Sequence, residues 1–280
     1  MKDVVKIAVR ALLAVAGLTA LDGCRMVAGD GEGGLRAKIA AKHRIVGEDV
    51  WHGCRRTKFD FNGRVAWVVE PDVRPLAGRP WTWTMQWAEA YVDRTGVPDL
   101  LKRGFHHATI DLYPTRMDES GLVAAEAFQR YLVDELGFAP KANLVGMSWG
   151  GFFSTRYAAA YPQNVARIYF DAPLMTFDGF GGMTEQRVGS WAKCGVTDWS
   201  ADPRMPVNLA GTVAKAGIPV LLLYGGQDVV VDPTRNCELF VSRFKAAGGK
   251  VEVVKRAMFG HHPHGLDPDK TGPIVDFFTK

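Results

Sequence analysis

The chain has 280 residues, 47% of them hydrophobic and 23% charged, an ordinary globular composition with enough length for one sizeable α/β domain. Its formal net charge of +4 comes from 34 basic and 30 acidic residues scattered along the chain. That excess is too small and too dispersed to build a nucleic-acid groove, and no repeat or low-complexity run points to a solenoid or a disordered protein.

In chain order, the first feature is a leader. Lys2, Lys6 and Arg10 precede an apolar run from Ala11 to Leu21 that is too short to span a bilayer comfortably. The stretch Leu21-Asp22-Gly23-Cys24 resembles a bacterial lipobox, with Asp22 where a small residue is usual. The resemblance implies an exported bacterial protein, periplasmic or anchored in the membrane through lipid on Cys24. Residues 1–24 are therefore read as a signal or lipoprotein-like segment. Residues 25–54, rich in Gly, Asp and Lys in their larger part, are read as a tether and lead-in. With Cys24 modified, Cys54, Cys194 and Cys237 allow at most one disulfide, and each is read as a small buried hydrophobe.

From residue 55 to 280 the pattern is that of one domain. Arg55 to Phe61, Asn62-Gly63 and Arg64 to Val69 read as a hairpin, because Asn-Gly favours a two-residue turn. Trp83 to Arg94 has helical periodicity. Strands are expected at His107–Asp111, Ala142–Gly146, Arg167–Phe170, Pro219–Tyr224 and Val251–Val254. Helices are expected at Ser120–Leu136, Gly151–Ala160, Thr234–Ala247 and Gly272–Phe278. This alternation implies a mostly parallel sheet with helices on both faces, and a site beyond the carboxyl ends of its strands. The Gly/Pro-rich stretch 174–215 reads as a cap-like insertion over that site, with Trp191 and Trp199 as apolar lining.

Three segments at strand ends carry chemistry. Gly146-Met147-Ser148-Trp149-Gly150-Gly151 fits G-x-S-x-G between a strand and a helix. The sharp turn needs glycines beside the serine, and the helix N-terminus then faces the hydroxyl with free N–H groups. A serine is a weak nucleophile and needs a base. Gly260-His261-His262-Pro263-His264-Gly265 follows the last strand and offers three imidazoles, with His261 and His264 as the candidates. As metal ligands the three have an unfamiliar spacing, on a loop broken by Pro263, so no metal site is expected. His43, His52, His106 and His107 precede the nucleophile and are read as structural. The base needs a carboxylate, and Asp228 follows the strand ending at Tyr224, while Asp171 follows the strand ending at Phe170. The oxyanion calls for two N–H donors, one from Trp149. The second is expected after the strand Val65–Val69, at Trp81 or a near neighbour. Trp83 and His264 are candidate substrate contacts, with His262 shaping the loop or touching substrate.

The segments Gly146–Gly151, Gly225–Asp228 and Gly260–His264 together resemble the α/β-hydrolase superfamily over roughly residues 55 to 280. The resemblance to its G-H-x-P-H run implies His261 as base, and that of Gly225 to Pro233 to its G-x-x-D-x-x-V-P run implies Asp228 as acid. It also implies a serine hydrolase, a carboxylic ester hydrolase acting on a small-molecule or carbohydrate ester without cofactor. A peptidase or lactonase on the same triad is the alternative within enzymes, and a surface lipoprotein binding a carbohydrate or a partner is the alternative outside them.

Overall fold

The alternation of short apolar strands with amphipathic helices closes into a single nine-stranded sheet in the computed structural model, which describes residues 34–180 and 182–280. The strands are β1 (Ile45–Trp51), β2 (Cys54–Phe61), β3 (Arg64–Val69), β4 (Trp81–Thr84), β5 (His106–Ile110), β6 (Ala142–Met147), β7 (Val165–Asp171), β8 (Val220–Gly225) and β9 (Val251–Arg256). The helices are α1 (Leu35–Ala40), α2 (Val97–Lys102), α3 (Glu119–Asp134), α4 (Trp149–Ala160), α5 (Glu185–Val188), α6 (Pro206–Lys215), α7 (Leu239–Ala246) and α8 (Gly272–Thr279).

The spatial order is β1-β2-β3-β5-β4-β6-β7-β8-β9. From β5 to β9 every neighbouring pair is parallel, and the hairpins β1–β2 and β2–β3 form an antiparallel edge. Successive strand side chains point to opposite faces. Leu144, Phe170 and Leu222 accordingly join one core with Phe128 of α3, Phe152 of α4, Val213 of α6 and Phe240 of α7. Val145, Tyr169 and Leu221 join a second core on the other face with Leu100 of α2 and Ile274 of α8. Helices cover both faces, as the alternation requires.

Four expectations are corrected. The part of 25–54 that is described is no tether, because α1 buries Leu35 and Ile39 in the first core and β1 pairs with β2 along its length. Trp83–Arg94 is not a helix. Trp81-Thr82-Trp83-Thr84 alternates aromatic with β-branched residues, both strand formers, and is the central strand β4, after which only Val92–Arg94 makes a helical turn. Trp191 and Trp199 do not line an open roof. They are buried against Phe177, and Trp191 also meets Phe152, so the insertion is pinned to α4. Cys54 and Cys237 are buried thiols as expected, but Cys194 is exposed. The leader with Cys24 lies outside the described residues. Among the described residues no helix is long and apolar enough to cross a membrane.

Candidate active site

Ser148 stands at the carboxyl end of β6, between Met147 and the first residue of α4. Its backbone is held at φ 50° and ψ −118°, a conformation that costs energy for any residue with a side chain. The strain is fixed from both sides. The Ser148 N–H donates to the Asp171 carbonyl at 3.0 Å, and the Ser148 carbonyl accepts from Gly151 and Leu174 N–H, each at 2.9 Å. The glycines do not contribute equally. A methyl on Gly146 would come within 2.9 Å of the Gly150 carbonyl oxygen, and one on Gly151 within 2.2 Å of Pro173, whereas one on Gly150 would meet nothing closer than 3.6 Å. Close approach therefore demands Gly146 and Gly151 rather than Gly150.

The base arrives from the loop after β9. His261 Nε2 lies 3.1 Å from Ser148 Oγ, and His261 Nδ1 lies 2.7 Å from Asp228 Oδ2. Two loops have to touch for this. The chain at Gly225, where β8 ends, passes so near the Gly260 carbonyl that a Cβ would sit 2.2 Å from it, and the Gln227 N–H donates to the Phe259 carbonyl at 2.9 Å. Both side chains of the His261–Asp228 pair are nearly out of solvent. Burial alone would raise the Asp228 carboxyl. The hydrogen bond from His261 and those from the Val231 and Val230 N–H groups outweigh it and hold the carboxyl below its ordinary value. An ionised acceptor on Nδ1 fixes the imidazole tautomer that leaves Nε2 free to take a proton.

Asp171, the other candidate acid, is committed elsewhere. It accepts from His264 Nδ1 at 2.7 Å, from the Tyr169 hydroxyl at 2.8 Å and from the Gly265 N–H. Burial and the neighbouring Asp171 charge push the Tyr169 phenol far above its ordinary value, so it remains a donor. His264 is thus a second buried His–Asp pair, its ring centre 4.7 Å from that of His261. His262 is exposed and stacks on Tyr91.

The expected oxyanion donors separate. Trp149 heads α4, where the first N–H groups have no acceptor within the helix, beside Ser148. Trp81 is not at the site. It is fully buried at the amino end of β4, and its indole donates to the Ala139 carbonyl. Trp83 is likewise core, packed on Phe128 and Tyr157, and is corrected as a substrate contact. The residue abreast of the elbow is Gln86. Thr84 pairs with Val145, and a Cβ built on Gly150 lies 3.6 Å from the Gln86 backbone nitrogen. Reading Trp-Thr-Trp-Thr as a strand would have found it. The loop is braced by Glu89, which accepts from the Trp51 indole at 2.9 Å and from Arg56. Gln86 also lines a cleft of about 430 Å³ with Val65, Trp67, Trp87, Ile110 and Asp111.

Residues 87–193 match the sequence profile of the alpha/beta hydrolase fold. The chain is 31% identical over 121 residues to poly(3-hydroxyalkanoate) polymerase subunit PhaC of Haloferax mediterranei, covering 41% of this chain and 23% of that protein. It is 30% identical over 125 residues to a Salmonella typhimurium protein whose name marks it as a suspected carboxymethylenebutenolidase, covering 45% and 37%. The chain therefore spans less than half the length of these curated relatives. A puromycin-hydrolyzing peptidase of Mycobacterium tuberculosis superposes with a TM-score of 0.60 at 17% identity, over 82% of this chain and 38% of that one. With the nine-stranded sheet described above, these likenesses establish the α/β-hydrolase fold.

Proposed function

We propose that the chain is a serine hydrolase that cleaves a carboxylic ester through an acyl-serine intermediate. One observation carries this reading, the unbroken line from Ser148 Oγ through His261 to a buried Asp228, at 3.1 and 2.7 Å.

Ser148 Oγ attacks the carbonyl carbon as His261 Nε2 takes its proton, and Asp228 stabilises the resulting imidazolium. The carbonyl oxygen becomes an oxyanion facing the N–H groups of Trp149 and Gln86. Collapse breaks the bond to the alcohol oxygen, which leaves with the proton from His261. Water then attacks the acyl-serine with His261 again as base, releasing the acid and restoring Ser148. The cleft beside Gln86, where Trp67, Trp87 and Ile110 stand with Glu89, Thr109 and Asp111, has the size of a small-molecule site and offers room for one part of the ester. Ester and peptide cleavage share this triad chemistry, and only the pocket separates them. The leader predicts that the enzyme works after export.

Ser148→Ala is expected to lower kcat on p-nitrophenyl acetate by about a millionfold, with thermal unfolding nearly unchanged and labelling by a fluorophosphonate abolished. Wild-type protein that turns over no ester and resists the fluorophosphonate would instead favour the binding-module reading.

A further inference from the structure

The triad uses one His–Asp pair, yet two lie side by side, and a third imidazole closes the group. The ring centres of His261, His262 and His264 are 4.8, 4.7 and 5.0 Å apart, with planes crossing at 76°, 78° and 89°. Three imidazoles on one tetrahedral zinc, with Zn–N near 2.0–2.1 Å, also place their ring centres about 5 Å apart. One ligand atom from each side chain already lies within 4.8 Å of the others. Loop spacing alone gave no hint of this, because Pro263 turns the chain and brings His264 back beside His261.

We infer that His261, His262 and His264 form a binding site for one Zn²⁺ ion, whose occupation inhibits the enzyme. Two of the three imidazoles carry a buried carboxylate on Nδ1, Asp228 for His261 and Asp171 for His264. A carboxylate on the far nitrogen is the usual support of a zinc-bound histidine, because it orients the ring and raises its basicity. The frame is firm. Arg94 Nε donates to the His264 carbonyl at 2.8 Å, and Arg256 donates to the Gly265 carbonyl at 2.8 Å and to that of Pro263 at 3.2 Å. His262, exposed and stacked on Tyr91, supplies the third ligand. Imidazole nitrogen suits zinc, whereas magnesium and calcium prefer oxygen ligands that this cluster lacks. Zinc on His261 Nε2 occupies the lone pair that accepts the Ser148 proton, so metal and acylation exclude each other. The inhibition rests on the proposed role of His261, but the binding does not.

The test is calorimetric titration of the chelator-treated full chain with zinc chloride, repeated on Ser148→Ala, His262→Ala and His264→Ala. One site per chain is expected in wild type and Ser148→Ala, in the micromolar range or tighter, with no heat from magnesium. The His262 and His264 variants should each bind about tenfold or more weakly. The exposed His262 variant guards against misfolding at His264. Zinc should inhibit ester hydrolysis at the concentration at which it binds, and a chelator should restore it. Absence of binding in an active wild type, or unchanged affinity in both histidine variants, overturns the site. Binding without any esterase activity would overturn the catalytic reading and leave the site standing.

Discussion

Two groups of neighbouring histidines, His106-His107 on β5 and His261 with His264 on the loop after β9, are all buried, yet their surroundings are opposite. Among the described residues the strand pair has no carboxylate, His107 Nδ1 meets only the Thr82 hydroxyl, at 2.8 Å, and His106 Nδ1 and His107 Nε2 have no partner. Burial therefore drives His106 down to about 4 and His107 down to about 3, and both stay neutral packing groups. On the loop each ring has its own buried carboxylate. A carboxylate behind the ring is what a base needs, because it can both fix the tautomer and stabilise the imidazolium, and the strand pair lacks one among the described residues.

The sharpest way to break that contrast is to neutralise the two carboxylates in turn. Asp228→Asn should lower kcat by about 10⁴, because the amide no longer holds His261 in its reactive tautomer. Asp171→Asn should lower kcat by about tenfold at most, while costing about 3 kcal/mol of stability by disrupting a buried pair with three donors. Steady-state kinetics on p-nitrophenyl acetate and urea unfolding measure both. If the losses in kcat are reversed, Asp171 is the triad acid and the assignment fails.

Much of this was legible in sequence, for reasons that lie in particular residues. Ser148 announced itself because a strand, a turn and a helix were all readable around one serine. His261 and Asp228 followed from chain order, from their places after strand ends, and from the likeness of their segments to the G-H-x-P-H and G-x-x-D-x-x-V-P runs. Gln86 was not legible, since a backbone N–H leaves no side-chain signature and the strand before it, Trp81–Thr84, is four residues long beneath an apparent helical period. The pairing of His264 with Asp171, 93 positions apart, depends on tertiary contact alone. The first strand, β1, has no legible period, because Glu48 and Asp49 are adjacent, Val46 and Val50 are exposed and only Trp51 is buried on this sheet edge.

The strand histidines make a pH prediction whose sign follows from their depressed values. Below 6.5 the unfolded chain binds protons that the folded chain refuses, so stability falls as pH drops. Each histidine contributes about 1.4 kcal/mol per pH unit, levelling off near 4 for His106 and near 3 for His107. Asp228, also depressed, acts in the same direction, but only as pH falls toward and below the ordinary carboxylate value of 3.8. Urea unfolding at pH 6.5, 5.5 and 4.5 therefore reports mainly the histidines. His107→Gln should flatten the slope by its own share. An unchanged slope would mean that burial does not keep this ring neutral.

The smallest effect expected is at the neutral partner itself. Thr82 sits on β4 opposite His107 in the parallel register, and its hydroxyl is the one side-chain partner of that ring's nitrogens among the described residues. Thr82→Val keeps the β-branched shape and the strand propensity, and removes a hydrogen bond between two uncharged groups. The loss should be about 1–2 kcal/mol, because a buried nitrogen is left unsatisfied and no charge is stranded. Thermal unfolding should fall by about 2–4 °C per kcal/mol in a domain of this size. Turnover should not change, since β5 meets the triad through neither a carboxylate nor a proton path. A kcat reduced tenfold with the fold intact would show that the strand histidines do feel the reaction, and the line drawn between the two groups would have to move.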